Sequence, residues 1–243
     1  VTASRFLYSW AVGFPIAMTG ALGIAALQVS SGYRCRRFCV NRLLPAVSKA
    51  CLKSFGIELR VHGLDNIPDE QVIYTANHPS SLDMFLISSM GLSNVRSFLA
   101  KKTKKYPPVA ILGRSIGAFF TPPQTEPEER ALCFADAERV LRETGDSVFL
   151  TPEGTRCPDG IGPFNKGTFH LATNMKVPMV PLFIDVPKAM NTGRTLAPLP
   201  GVVDVYINPP ISTTEWKLED LHSHKESLRD LYTAFPAGWT SRS

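Results

Sequence analysis

Apolar positions are distributed unevenly along the chain. From Phe6 to Val29, 24 consecutive positions carry no charged side chain, more than the roughly 20 residues a helix needs to cross a bilayer core. Pro15, Gly13, Gly20 and Gly23 interrupt the run, so the pattern predicts either one span or a re-entrant hairpin of two shorter helices. A secretory signal normally has only about 7–15 apolar residues, and the run is also long for a buried core helix. Residues 35–55 then mix Phe38, Leu43, Leu44, Val47 and Leu52 with Arg36, Arg37, Lys49 and Lys53. This predicts an interrupted amphipathic helix on the membrane or on the domain, kinked at Pro45.

Beyond Gly56 the period shortens. β-rich runs at Ile57–Val61, Val72–Ala76, Val95–Leu99, Ser147–Leu150, Pro178–Ile184 and Val202–Ile207 predict strands. Helical patterns lie between them at Leu82–Ser89, at Gly167–Asn174, at roughly Trp216–Ala234, and from Thr125 through Leu141. Thr125 and Glu128 have the spacing of a capping box. Strands alternating with helices predict an α/β fold with a single, mostly parallel sheet flanked by helices. The expected organisation is an N-terminal membrane segment over residues 1–33 and an α/β domain over 34–243, with no repeat and no linker.

Composition narrows this picture. Lys plus Arg is 26 and Asp plus Glu is 21, a net charge of +5, and only 19% of residues are charged. That excludes an acidic disordered chain. Arg34, Arg36, Arg37 and Arg42 follow the apolar run directly. Basic flanks of this kind stay on the cytoplasmic side and are drawn to anionic headgroups. Five cysteines without a C-x-x-C pair imply a reducing compartment, with no disulfide framework and no structural metal site. Val1 in place of Met implies a longer or processed precursor.

Candidate chemistry gathers in three places. Asn77-His78-Pro79-Ser80-Ser81-Leu82-Asp83 follows the apolar run Val72–Ala76, which puts His78 in a loop at a strand end and Asp83 in the first turn of a helix. Five positions along one helix would separate the two by about 140°, but across a turn they can meet. A carboxylate on one imidazole nitrogen fixes the tautomer, so the other nitrogen can act as a general base. A loop histidine bonded to backbone, beside a capping aspartate, satisfies the same spacing. The second place is Thr151-Pro152-Glu153-Gly154-Thr155-Arg156, where a strand end, a glycine and a cation suit an anion. The third is Phe164-Asn165-Lys166-Gly167 at a helix start, followed by Val177-Pro178-Met179-Val180-Pro181.

In this order and spacing, these motifs resemble the glycerolipid acyltransferase family, typified by the 1-acylglycerol-3-phosphate acyltransferases, from about Gly56 to Ile207. The resemblance implies a membrane-bound O-acyltransferase of phospholipid biosynthesis. His78 of the His-x4-Asp motif would deprotonate the free hydroxyl of a lysophospholipid, by default 1-acyl-glycerol-3-phosphate, and Asp83 would support it. The hydroxyl would attack an acyl thioester directly, with no covalent acyl-enzyme. Acyl-CoA or acyl-carrier protein is the implied co-substrate, and no other cofactor or metal is expected. Glu153, Gly154, Thr155 and Arg156 match the acceptor-binding motif, Lys101 and Arg156 would face its phosphate, and Lys166 belongs to the next motif. Val177–Pro181 would form an acyl-chain or structural wall. The family's second motif ends in arginine, whereas Gly117-Ala118-Phe119-Phe120-Thr121-Pro122-Pro123 ends in proline. The phosphate would then fall to Lys101 and Arg156 with Arg114 or Arg130, or the acceptor would carry another headgroup.

Rival readings are weaker. Gly113-Arg114-Ser115-Ile116-Gly117 fits the G-x-S-x-G pattern of a serine esterase, with Asp159 and His170 in hydrolase order. That elbow needs a strand, a turn and then a helix, and Ser115 reads better as a turn residue. A non-catalytic membrane scaffold is the other alternative. His222 and His224 belong to a charged helix face, and His62 to a turn. Lys101, Lys102, Lys104 and Lys105 beside a membrane segment suit anionic lipid or CoA phosphate rather than nucleic acid.

Overall fold

A computed structural model describes residues 7–190 and 199–238. Its strands are β1 (Ile57–His62), β2 (Ile73–Ala76), β3 (Val95–Ala100), β4 (Phe119–Thr121), β5 (Ser147–Leu150), β6 (Met179–Asp185) and β7 (Gly201–Ile207). They form one sheet in the order β1-β7-β6-β2-β5-β3-β4. Neighbours pair in parallel except β6 with β7, so the α/β fold with a mostly parallel sheet is as expected. All four residues of β2 and of β5 are buried, because helices cover both faces of a parallel sheet. This is why both strands are legible as mostly apolar runs without a charged position.

The helices are α1 (Phe14–Ser30), α2 (Leu44–Phe55), α3 (Asp83–Ser89), α4 (Pro107–Ile116), α5 (Pro127–Thr144), α6 (Gly167–Met175) and α7 (Leu221–Gly238). Their faces follow from crossover handedness. The β2–α3–β3 and β3–α4–β4 connections move one way across the sheet, while β4–α5–β5 and β5–α6–β6 move the other. Right-handed crossovers therefore put α3 and α4 on one face and α5 and α6 on the opposite one. The core divides accordingly. Tyr74 and Ala76 pack with Leu52, Leu86 and Ile87, whereas Ile73 packs with Leu141, Phe169 and Tyr232.

Two elements were not foreseen. The sequence patterns assign no element between Leu99 and Thr125, yet Pro107 opens α4 and Gly117 ends it in the left-handed region, φ 73°. The run Phe119–Thr121 is β4, which pairs with β3 at the sheet edge. The capping box at Thr125 does not form. α5 instead starts at Pro127, with no side-chain cap bond and with Glu128 and Glu129 in its first turn.

The N-terminal segment forms one helix through Pro15, Gly20 and Gly23, which excludes a break within it. A π-helical stretch, Ser9–Gly13, precedes Pro15, and a second, Cys39–Leu43, precedes Pro45. A proline removes one i→i−4 bond and crowds the preceding turn, and the wider π turn accommodates both effects. Gly13 and Gly20 are contact points: a Cβ would lie 2.5 Å from the Phe55 ring at Gly13 and 2.6 Å from Val47 at Gly20. Ala11–Ser30 is long and apolar enough to cross a membrane, with mean hydropathy 1.7 and 22% of its window buried. Its buried side includes Gln28, whose Nε2 donates to the Ser115 carbonyl at 2.9 Å. Leu22 and Val29 are exposed.

Of the basic cluster, Arg36 is turned inward, whereas Arg34, Arg37 and Arg42 remain exposed. Arg36, with 15% of its side chain exposed, pairs with the fully buried Asp146. Arg96 Nε donates to Asp146 Oδ2 at 2.9 Å, and Arg37 Nη2 donates to the Thr144 carbonyl at 3.1 Å. Arg36 and Arg37 thus tie the N-terminal helices to the start of β5, where the sequence had placed them against headgroups. Burial, then the charge of Arg96, pushes the Arg36 guanidinium down, and Asp146 opposes both. Asp146→Asn would leave two buried cations under-compensated. It should destabilise the fold by about 3–5 kcal/mol in urea unfolding of the detergent-solubilised protein, with Arg36→Met recovering part of the loss; an unchanged midpoint would contradict this.

Candidate active site

The carboxyl ends of β2, β5, β3 and β4 share one sheet edge. The connections leaving β2 and β5 depart in opposite directions, so the crevice between these two strand ends is the topological switch point at which α/β sheets bind ligands. His78 follows β2, and Thr151–Arg156 follows β5.

Within the β2 loop, Ser80 makes the turn. Its Oγ accepts from the Leu82 amide at 2.9 Å and donates to Asp83 Oδ1 at 3.0 Å, while its own amide donates to Asp83 Oδ2 at 3.2 Å. Asp83, 2% exposed at the start of α3, thereby points back across the turn. His78 Nδ1 lies 2.6 Å from Asp83 Oδ2. An ionised carboxylate has no proton to give, so Nδ1 carries the hydrogen and Nε2 is the basic nitrogen. The His78 side chain keeps 28% of its surface exposed, so the ring is accessible from the crevice. Asn77 fixes the start of the loop by exchanging two bonds with the Ile184 backbone, at 2.9 and 2.7 Å.

The β5 loop closes onto this turn. Glu153, 3% exposed, accepts from the His78 amide at 2.6 Å and from the Gly162 amide at 2.6 Å. Burial pushes its carboxyl above the usual carboxylate range, against the pull of these two amides and of His78. Gly154 and Thr155 are exposed, and Arg156 reaches Ser81 Oγ. Asn165 Nδ2 donates to the Glu153 carbonyl at 2.9 Å, and the next residue, the exposed Lys166, directly precedes α6.

Other candidates lie further out. Lys101 follows β3 on the same edge, but its Nζ is 3.0 Å from Glu126 Oε2 and 2.6 Å from Glu129 Oε2. Those bonds, Glu129's foremost, raise the lysine's pKa. Pro123 is exposed in the loop after β4, and Arg130 Nη1 donates to the neighbouring Pro122 carbonyl at 2.8 Å. Arg114 lies in the last turn of α4, towards the opposite sheet edge, away from the crevice. Pro178 likewise precedes β6 at the amino edge, so Val177–Pro181 is a structural strand start.

Ser115 is in the last turn of α4, buried, with Oγ donating to the Ile111 carbonyl at 2.8 Å. The local order is helix, turn, strand, the reverse of a nucleophile elbow, and the esterase reading and the turn assignment both fall with it. His62 ends β1 at the amino edge, where its Nε2 contacts Asp204 at 2.7 Å. Sequence reasoning missed the roles of Ser80, Asn77 and Gly162. Only Ser80 carried a signal, its serine-rich turn ahead of Asp83.

The acyltransferase family profile matches residues 58–185. The chain is 27% identical over 198 residues to a 1-acyl-sn-glycerol-3-phosphate acyltransferase of Limnanthes douglasii, covering 78% of this chain and 69% of that protein. It is 34% identical over 155 residues to a chloroplastic enzyme of the same name from Brassica napus, covering 62% of this chain and 44% of that protein. The crystal structure of the 1-acyl-sn-glycerophosphate acyltransferase PlsC from Thermotoga maritima superposes with a TM-score of 0.77 at 23% identity, covering 97% of this chain and 96% of that one. The last likeness shows the fold. The family match shows that the chain belongs to the acyltransferases.

Asp83→Asn tests the dyad. The amide preserves the shape but can donate to Nδ1, which moves the imidazole proton to Nε2. Acyl transfer should fall by about 10²–10⁴-fold in a variant that still melts cooperatively, measured by product formation and a thermal melt. Wild-type turnover in the variant would contradict the assignment.

Proposed function

We propose that this acyltransferase is membrane-bound and moves a fatty acyl group from an acyl thioester to the free hydroxyl of a lysophospholipid. The default acceptor is 1-acyl-glycerol-3-phosphate, giving phosphatidic acid. The observation that carries the reading is the 2.6 Å contact from His78 Nδ1 to a buried Asp83 at the switch-point crevice. It leaves Nε2 to accept the acceptor's proton as the acceptor oxygen attacks the thioester carbonyl. Collapse of the tetrahedral adduct breaks the C–S bond, and the imidazolium returns its proton to the departing thiolate, with Asp83 stabilising the cation in between. No covalent acyl-enzyme is needed. The donor is acyl-CoA or acyl-carrier protein. Arg156, with Lys101 and Arg130, supplies the charge for phosphate.

The apolar α1 and the turn before it, which pack against the domain through Gly13, Gly20 and Gln28 and expose Leu22 and Val29, support a membrane-bound enzyme, and the exposed Arg34 and Arg42 that follow support a cytoplasmic face. An acceptor with a different headgroup is the second reading. It is favoured by the two carboxylates already on Lys101 and by proline at position 123.

The test is acyl transfer from acyl-CoA to a panel of lysophosphatidate and lysophosphodiesters in detergent, with products read by mass spectrometry. Wild type should give a diacyl lipid, and His78→Ala should lose at least ~100-fold. Full activity in His78→Ala, or thioester hydrolysis alone, would sink the reading. The acceptor used identifies the headgroup.

A further inference from the structure

The chain from Thr151 to Lys166 crosses the site without forming a helix or strand. Loops of this length inside a compact domain, beyond about 12–15 residues, are uncommon and usually functional. This one is pinned from end to end. The Cys157 amide donates to the His78 carbonyl at 2.8 Å, and the Asn165 amide to the Pro152 carbonyl at 2.8 Å. Asn165 Nδ2 reaches the Glu153 carbonyl at 2.9 Å and Asn165 Oδ1 accepts from Gln124 at 2.5 Å.

Glu153 is at the centre of these bonds. The family resemblance assigns it to acceptor binding, but each carboxylate oxygen already has a backbone amide at 2.6 Å, His78 on one side and Gly162 on the other. With 3% of the residue exposed, the side chain faces inward rather than towards a lipid. Its partners lie on different segments, 75 residues away and 9 residues away, so a single side chain joins the catalytic turn to the far limb of the loop.

We infer that Glu153 is a positioning residue whose buried carboxylate clamps the His78 backbone to the loop at Gly162, setting the distance between the base and the Gly154–Arg156 segment. The inference rests on the reading of His78 as the base. Only an ionised carboxylate of this length suits the position. Glutamine keeps one acceptor oxygen and turns an NH₂ group towards the other amide, and aspartate is one methylene shorter. Charge-assisted bonds from two N–H donors are roughly twice as strong as neutral ones, which suits a clamp on a reacting group. The burial that raises the Glu153 pKa also strengthens the bonds of its ionised form.

Kinetics and amide exchange of the full-length, detergent-solubilised protein test this together. In Glu153→Gln, kcat for acyl transfer should fall about 10²-fold, the loss expected from displacing a reacting group by an ångström. KM for the lysolipid should stay within about 2-fold, as uniform binding is untouched. Hydrogen–deuterium exchange at the His78 and Gly162 amides should be slow in wild type and should quicken at both positions in the variant. A variant with unchanged kcat and a raised KM would make Glu153 an acceptor ligand and overturn the inference. So would fast exchange of either amide in wild type, a result that holds even if the variant does not fold. No transfer by wild type, or full activity in His78→Ala, would instead overturn the functional reading, and the exchange rates would still judge the clamp.

Discussion

The site depends on the parallel pairing of β2 with β5 on one side and β6 on the other. Parallel alignment brings residues 77–83 and 151–156 to the same edge, although about 75 positions separate them in the chain. The opposite departures of the two connections open the crevice between them. Register matters equally. Tyr74 and Ala76 face one core and Ile73 the other, so a slip of one residue would exchange the faces and turn the His78 loop away from Glu153.

Charge is arranged differently at the two edges. At the amino edge, Asp146 is fully buried beneath Arg36 and Arg96 and holds the N-terminal helices to the sheet. At the carboxyl edge, Asp83 and Glu153 are nearly as buried but are matched with neutral partners, an imidazole and two amides. In the first arrangement one carboxylate offsets much of the charge of two buried guanidinium groups, so its removal is costly. In the second, the His78 imidazole sits directly on Asp83, so in the proposed proton transfer a positive charge developing on His78 would be stabilised there. The apolar start of α1 packs on Phe55, close to α3 through the Phe55–Phe85 ring contact, and so lies towards the catalytic edge. The apolar helix and the His78 crevice are thus brought to one end of the molecule.

Much of this was legible in the sequence. Ser147–Leu150 is a strand over the span its apolar run marks, and the five-residue spacing of His78 and Asp83 required the turn that Ser80 builds. What stayed hidden was tertiary. Pro107 and Pro108 look like loop residues until the helix they start is packed against α1, and Gly13 and Gly20 look like breakers until Phe55 and Val47 fill the notches. Arg36 and Arg37 have the composition of a membrane flank, and only the fold reveals Asp146 as their partner. Glu153 sits in a motif whose resemblance implies acceptor contact, but its direction is set by amides that no local pattern reports.

The proposed dyad requires Asp83 to fix the His78 proton on Nδ1 and to leave Nε2 as the base. The most direct measurement is the ¹⁵N spectrum of histidine-labelled protein at a pH where His78 is neutral, with the His78 signals assigned by their loss in His78→Ala. A protonated Nδ1 and an unprotonated Nε2 are expected. A proton on Nε2 would contradict the dyad, because the nitrogen facing the crevice would then be a donor and unable to accept the proton of a hydroxyl.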